Sequence, residues 1–244
     1  MLITKYKIMI VILLLLSGCQ NPKNITDKDF QYRESIFIKA KNHHGLIDLY
    51  RDVLKQKEDN KIRFKLAEVY YLIGNSKSSI YYLESLKSED NDEVNMLIAK
   101  NLINLGENEK ALLIINRLLM KKLKSAELHN LHGIALANNG NLAQARKELE
   151  TARSLFFPEQ AALNNLSVVA MLDERYEESV RLLLPGYLDG KADKTMLHNL
   201  IFSLVKMGDI KYARKIIKSE GLSDNIDELL IALSKTDKMS EENK

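Results

Sequence analysis

A short turn recurs along this chain at a fixed interval, and that period limits the available folds more than any other feature. Gly106, Gly140, Glu174 and Gly208 stand 34 residues apart, and Gly74 lies 32 residues before Gly106. Their surroundings align: Leu105-Gly106-Glu107-Asn108 leads to Ala111, Asn139-Gly140-Asn141-Leu142 to Ala145, Asp173-Glu174-Arg175-Tyr176 to Ser179, and Met207-Gly208-Asp209-Ile210 to Ala213. Glycine at the end of a helix closes it in the left-handed conformation. The small residue five positions later lets the following helix approach closely. Apolar residues flank the turns at helical spacing, as in Leu163, Leu166 and Ala170, then Leu197, Leu200 and Leu204, with Leu149 and Ala152 on a second helix.

Neither helix of such a pair can bury its apolar stripe alone, so the pairs must stack. A helix-turn-helix unit of 34 residues is the period of tetratricopeptide (TPR) repeats. The expected fold is therefore all-α: a right-handed superhelical solenoid of about six repeats, near 26–59, 60–91, 92–125, 126–159, 160–193 and 194–221, with a capping helix over 222–233. The first repeat is degenerate, and only Gly45 to Tyr50 suggests its second helix. Residues 234–244 are charged and read as a flexible tail.

The N-terminus reads as a processing signal. Lys5 and Lys7 form a basic region, Ile8 to Leu16 an apolar run too short to span a bilayer, and Leu16-Ser17-Gly18-Cys19 follows. This tetrad resembles the bacterial lipobox. The resemblance implies removal of residues 1–18, diacylglycerol and an N-acyl chain on Cys19, and a tether over 19–27. Gln20 in place of aspartate favours the periplasmic face of the outer membrane over retention in the inner one. Cys19 is the only cysteine, so no internal disulfide can form. Without Lys5 and Lys7 the formal charge falls from +3 to about +1, which argues against a nucleic-acid footprint.

The C-terminal part narrows the comparison. Asn164-Asn165-Leu166, Tyr176-Glu177-Glu178-Ser179, Leu182-Leu183-Leu184-Pro185, Gly190-Lys191-Ala192-Asp193 and Asn199-Leu200 through Gly208-Asp209 to Ala213-Arg214 run in order. With the lipobox, this resembles the TadD family, the TPR lipoproteins of the tight adherence (Tad, Flp pilus) secretion system. The resemblance covers roughly residues 126–220. Its weightiest feature is Pro185-Gly186, expected to break the second helix of the fifth repeat and leave Tyr187 to Asp193 as a loop. It implies an assembly factor at the outer membrane, a pilotin or scaffold for the secretin, with no cofactor beyond the acyl chains. The type IV pilus pilotins (PilF or PilW) share anchor and repeats. NlpI-like adaptors for envelope proteases or cell-wall hydrolases form a second class.

A TPR solenoid presents a concave face built from the first helix of each pair. In this register it carries Phe64, Glu68, Tyr71, Met96, Lys100 and Ile103, then Asn130, Ile134, Asn164, Val168, Met171, His198, Phe202 and Val205. Asn130, Asn164 and His198 recur at 34 residues, a candidate polar ladder for a peptide backbone, while Ile134, Val168 and Phe202 supply apolar contact. The lysine and asparagine clamp for a C-terminal carboxylate is absent in this register. Edge or second-helix surfaces are the alternative. His129 and His132 have a spacing that can seat a metal, yet no third ligand accompanies them, and helix packing is the expected role. His43-His44 reads as a solvated loop, and Glu177-Glu178 as a solvated outer face. Tyr70 and Tyr71 fit helix packing. No phosphate loop, nucleophile elbow or zinc set is present, so an enzyme is not expected.

Overall fold

The computed structural model describes residues 26–88, 91–121 and 124–236. The leader, Leu16, Ser17, Gly18, the acylation site Cys19, most of the tether and the end of the tail lie outside them. The described residues form thirteen helices and no strand, in two units that divide after Ile73.

The N-terminal unit holds α1 (Asp27–Lys39), α2 (His43–Gln56) and α3 (Asn60–Leu72). Each start is capped: the side chains of Thr26, Asn42 and Asp59 accept hydrogen bonds from the backbone N–H groups of Asp29, Gly45 and Ile62. Asn42 sets the start of α2 at His43, so the histidine pair opens a helix rather than lying in a loop. Leu46, Leu49 and Tyr50 of α2 are buried, as are Leu66, Val69 and Tyr70 of α3. α1 buries no residue fully. The degenerate first pair still closes like the later ones: Lys41 takes a φ of 51°, and the Asn42 N–H donates to the Phe37 carbonyl at 2.9 Å.

The C-terminal unit runs α4 (Ser76–Glu84), α5 (Asp92–Asn104), α6 (Asn108–Met120), α7 (Ala126–Asn138), α8 (Leu142–Ser154), α9 (Glu159–Leu172), α10 (Tyr176–Leu188), α11 (Lys194–Lys206), α12 (Ile210–Ser219) and α13 (Ile226–Lys235). In this alternation α5, α7, α9 and α11 are first (A) helices, and α4, α6, α8, α10 and α12 second (B) helices. One bond closes each A-to-B turn. The N–H groups of Glu107, Asn141, Arg175 and Asp209 donate to the carbonyls of Leu102, Leu136, Ala170 and Leu204 at 2.8–2.9 Å. The residue before each donor has positive φ: Gly106, Gly140, Gly208 and, at 57°, Glu174. A side chain tolerates this conformation at a cost of about 1–2 kcal/mol, which the packing around the turn offsets.

The small residues after the turns, Ala111, Ala145, Ser179 and Ala213, are fully buried. Where serine replaces alanine, the next A helix supplies a polar partner. Asn101 Nδ2 donates to Ser79 Oγ at 2.9 Å, and the hydroxyls of Ser179 and Ser203 lie 2.7 Å apart. Leu136, Leu149, Leu166 and Val169 share one stretch of core. Leu183, Leu200, Leu204 and Ile216 form the next, which Leu230 of α13 covers.

Pro185 does not break its helix. α10 continues through it to Leu188, and the Asp189 N–H still reaches the Pro185 carbonyl at 3.0 Å. Arg181, whose carbonyl loses its donor to the proline, is exposed, as is Pro185 itself, so water can replace the missing bond. Gly186 instead marks a close approach: a β-carbon there would sit 3.1 Å from Met196 Sδ on α11.

Candidate functional site

In the C-terminal unit, the A helices α5, α7, α9 and α11 carry the residues that the repeat register assigns to a binding face. Met96, Lys100 and Ile103 of α5 are half-buried, as are Ile134 of α7, Asn164, Val168 and Met171 of α9, and Phe202 of α11; His198 is exposed. Val205 is buried. Phe64 and Tyr71 lie on α3 of the N-terminal unit, both half-buried, and Glu68 beside them is exposed.

Polar side chains tie these helices together. Asn165 Nδ2 donates to Asn130 Oδ1 at 2.7 Å, and Asn199 Nδ2 donates to Asn164 Oδ1 at 2.8 Å. Each bond joins one repeat to the next. The periodic asparagines thus form a ladder whose rungs run between repeats. Asn130 is 6% exposed and so belongs to the core, not to the surface that its spacing suggested. Asn164 keeps part of its surface. Asn165 and Asn199, the donors of both rungs, were readable only as neighbours of the ladder positions, because their partners lie 35 residues away.

Phe202 is fixed from two sides. The ring of Tyr176 meets it edge-on at 6.1 Å, and Lys206 Nζ lies 5.8 Å from its centroid. Lys100 of α5 pairs with Glu127 of α7 at 2.5 Å. The half-buried row Ile134, Val168, Met171 and Phe202 is therefore apolar, bordered by one amide, one imidazole and one paired lysine. Such a row can take up apolar side chains of an extended or helical segment while Asn164 and His198 meet polar groups.

His129 and His132 meet a third group after all. Glu148 Oε2 of α8 lies 2.6 Å from His129 Nδ1 and 3.3 Å from His132 Nδ1. All three side chains are largely buried, so the arrangement pins α7 to α8. No group of three or more His, Cys, Asp or Glu placed to hold a metal occurs among the described residues. Glu178 likewise differs from its sequence reading. Its side chain is 17% exposed and bonded by Arg146 of α8 and Arg175, which links two B helices. Glu177 is exposed.

The B-helix side holds a groove of about 520 Å³. Ile80 of α4, Ile98 and Leu102 of α5, and Leu113 and Ile114 of α6 line it, together with Lys110 and Arg117.

No protein-family model and no curated protein matches the sequence. Among solved structures, the chain is similar to a tetratricopeptide repeat protein from Parabacteroides merdae, with a TM-score of 0.69 and 12% identity over 88% of this chain and 86% of that one. This is the TPR fold. A thermophilic TPR protein of Thermus thermophilus gives a TM-score of 0.59 at 16% identity, covering 76% of this chain and 98% of its own. A Rap protein solved in complex with Competence and Sporulation Factor gives 0.58 at 21%, covering 84% and 67%. At these identities the likeness is one of fold. Among the described residues, no helix is long and apolar enough to cross a membrane.

Proposed function

We propose that this TPR chain is a protein-binding scaffold, tethered through an acylated Cys19 to the periplasmic face of the outer membrane, that helps assemble the Tad/Flp pilus machinery. Its partner in this reading is the secretin. The observation that carries protein binding is the row Ile134, Val168, Met171 and Phe202, left half-open on successive A helices with Asn164 and His198 alongside. A Rap protein of like fold was solved in complex with Competence and Sporulation Factor, which agrees with partner binding by this fold. The lipobox and the TadD resemblance support the anchor and the pilus assignment.

Co-purification from outer membranes, with Cys19→Ala as control, tests the assignment. The wild type is expected to bring down the secretin and the variant to leave the membrane fraction. Recovery of a cell-wall hydrolase or protease without secretin would instead favour the NlpI-like adaptor class. Asn164→Arg and Phe202→Glu test the face itself. Both side chains retain exposed surface, and the Phe202 change is expected to weaken binding about 30-fold. Unchanged secretin assembly at normal protein levels would move the site to the B-helix groove.

A further inference from the structure

The two edges of the C-terminal unit differ in a way that the A-helix face does not use. Successive helices run antiparallel through short connections, so the A-to-B turns share one edge and the B-to-A connections share the other. Three consecutive B-to-A connections each lift a large apolar side chain into solvent. α6 ends on Met120, 76% exposed; the α8–α9 connection holds Phe156, 93% exposed; and α10 ends on Leu188, 67% exposed.

Phe156 is the most telling of them. It adopts a φ of 66°, in the left-handed region, at the position that Gly190 fills with a φ of 67° one repeat later. That conformation disfavours any residue with a β-carbon, and a ring left in solvent gains no burial in return. The fold does not need a phenylalanine there.

Charge follows the same edge. The connections themselves, 121–125, 155–158 and 189–193, hold four basic and two acidic residues, of which Lys121 and Lys191 pair with Asp92 and Asp189. Lys124 and Lys194 are exposed and form no ion pair among the described residues. The opposite edge reverses the balance: turns 105–107, 139–141, 173–175 and 207–209 hold four acidic residues and one basic. The outer B-to-A connections, 85–91 and 219–225, are net acidic, and their described residues include no large exposed apolar side chain. The feature is confined to the three central connections.

Single apolar tips separated by lysines match a bilayer surface: the tips enter the headgroup region and the ammonium groups meet lipid phosphates. We propose that the edge formed by the α6–α7, α8–α9 and α10–α11 connections docks on an anionic lipid surface, with Met120, Phe156 and Leu188 inserted. Docking here requires no acyl chain on Cys19. It would set the orientation of a tethered unit, placing its acidic edge away from the membrane.

The chain contains no tryptophan, so a single introduced indole reports without background. Phe156→Trp and Leu188→Trp place it on the edge. Leu113→Trp, at a side chain 73% exposed in the middle of α6, places it off the edge. The full chain, with and without Cys19→Ala, is mixed with phosphatidylethanolamine–phosphatidylglycerol vesicles carrying brominated acyl chains. Both edge reporters are expected to shift to shorter wavelength and be quenched, in either background, while the Leu113 reporter is not. Adding Met120→Ser and Phe156→Gly to the Leu188 reporter is expected to weaken insertion roughly tenfold per residue, with the helical circular dichroism retained. Phosphatidylcholine vesicles are expected to quench far less. Equal quenching at all three positions, or none at the edge, overturns the proposal. A lipid-independent, concentration-dependent shift at the edge also overturns it, because a second copy of the chain would then be the occupant.

Discussion

Tyr50 shows how much one side chain draws on residues distant in sequence. Its hydroxyl donates to Glu34 Oε1 at 2.7 Å, and Lys65 Nζ reaches the same oxygen at 2.8 Å. Burial, then the hydrogen bond and charge of Glu34, hold the phenol well above its ordinary value of about 10. The folded state therefore keeps a proton that the unfolded chain releases. The resulting stability is fully present below about pH 10 and is lost as pH rises toward the folded value. Tyr50→Phe is expected to cost about 1 kcal/mol at neutral pH and to flatten the alkaline loss. Hydrogen exchange of α1–α3 amides at pH 7 and above pH 10 checks it, and an identical alkaline loss in the variant would refute the assignment. Tyr70 and Tyr71 stood out in the sequence as packing residues; Tyr50 did not, because its importance lies in partners 16 residues away and on another helix.

At the scale of helices, a glycine outside the turns controls the closest contact. Gly133 sits inside α7, where a β-carbon would fall 2.6 Å from Leu149 Cγ and 3.0 Å from the Ala145 carbonyl of α8. Gly133→Val should force α7 and α8 apart and destabilise the unit by about 2 kcal/mol, read as a lower urea midpoint with an unchanged slope. A higher midpoint would show that the helices can separate without loss. The turn glycines were legible from their period. Gly133 was less so, because the glycine itself does not recur: Ala99 and Ser167, small and fully buried, hold the matching positions 34 residues away. Pro185 errs in the other direction. Local rules stop a helix at proline, whereas an exposed position lets α10 run on at the cost of one bond that water can replace.

In the whole chain, stability is distributed along an array of neighbours. Within the C-terminal unit each helix pair owes its order to adjacent pairs. Ala145→Glu, at a fully buried site, is accordingly expected to speed amide exchange in α7–α10 far more than in α12 and α13. A uniform rise across the unit would contradict nearest-neighbour coupling. The same array gives three surfaces: an A-helix row suited to a protein partner, a B-helix groove, and a basic, apolar-tipped edge. The N-terminal unit adds a buried phenol and an α1 that contributes no fully buried residue.

The repeat period alone was enough to establish the helical class, the turn positions and the small residues behind them, since each is a local demand of backbone geometry repeated until coincidence is excluded. It could not tell which face a polar residue serves. Asn130 and Asn164 look alike in register and each accepts a bond from the next repeat, yet the packing around them buries the first and leaves the second partly open. Glu148 between two histidines, Glu178 between two arginines and Phe156 in a strained, solvated turn emerge only once distant helices are side by side. Pairing and exposure depend on what packs against a residue, and that neighbour often lies on another helix, 19 residues away for His129 and Glu148 and 32 for Arg146 and Glu178.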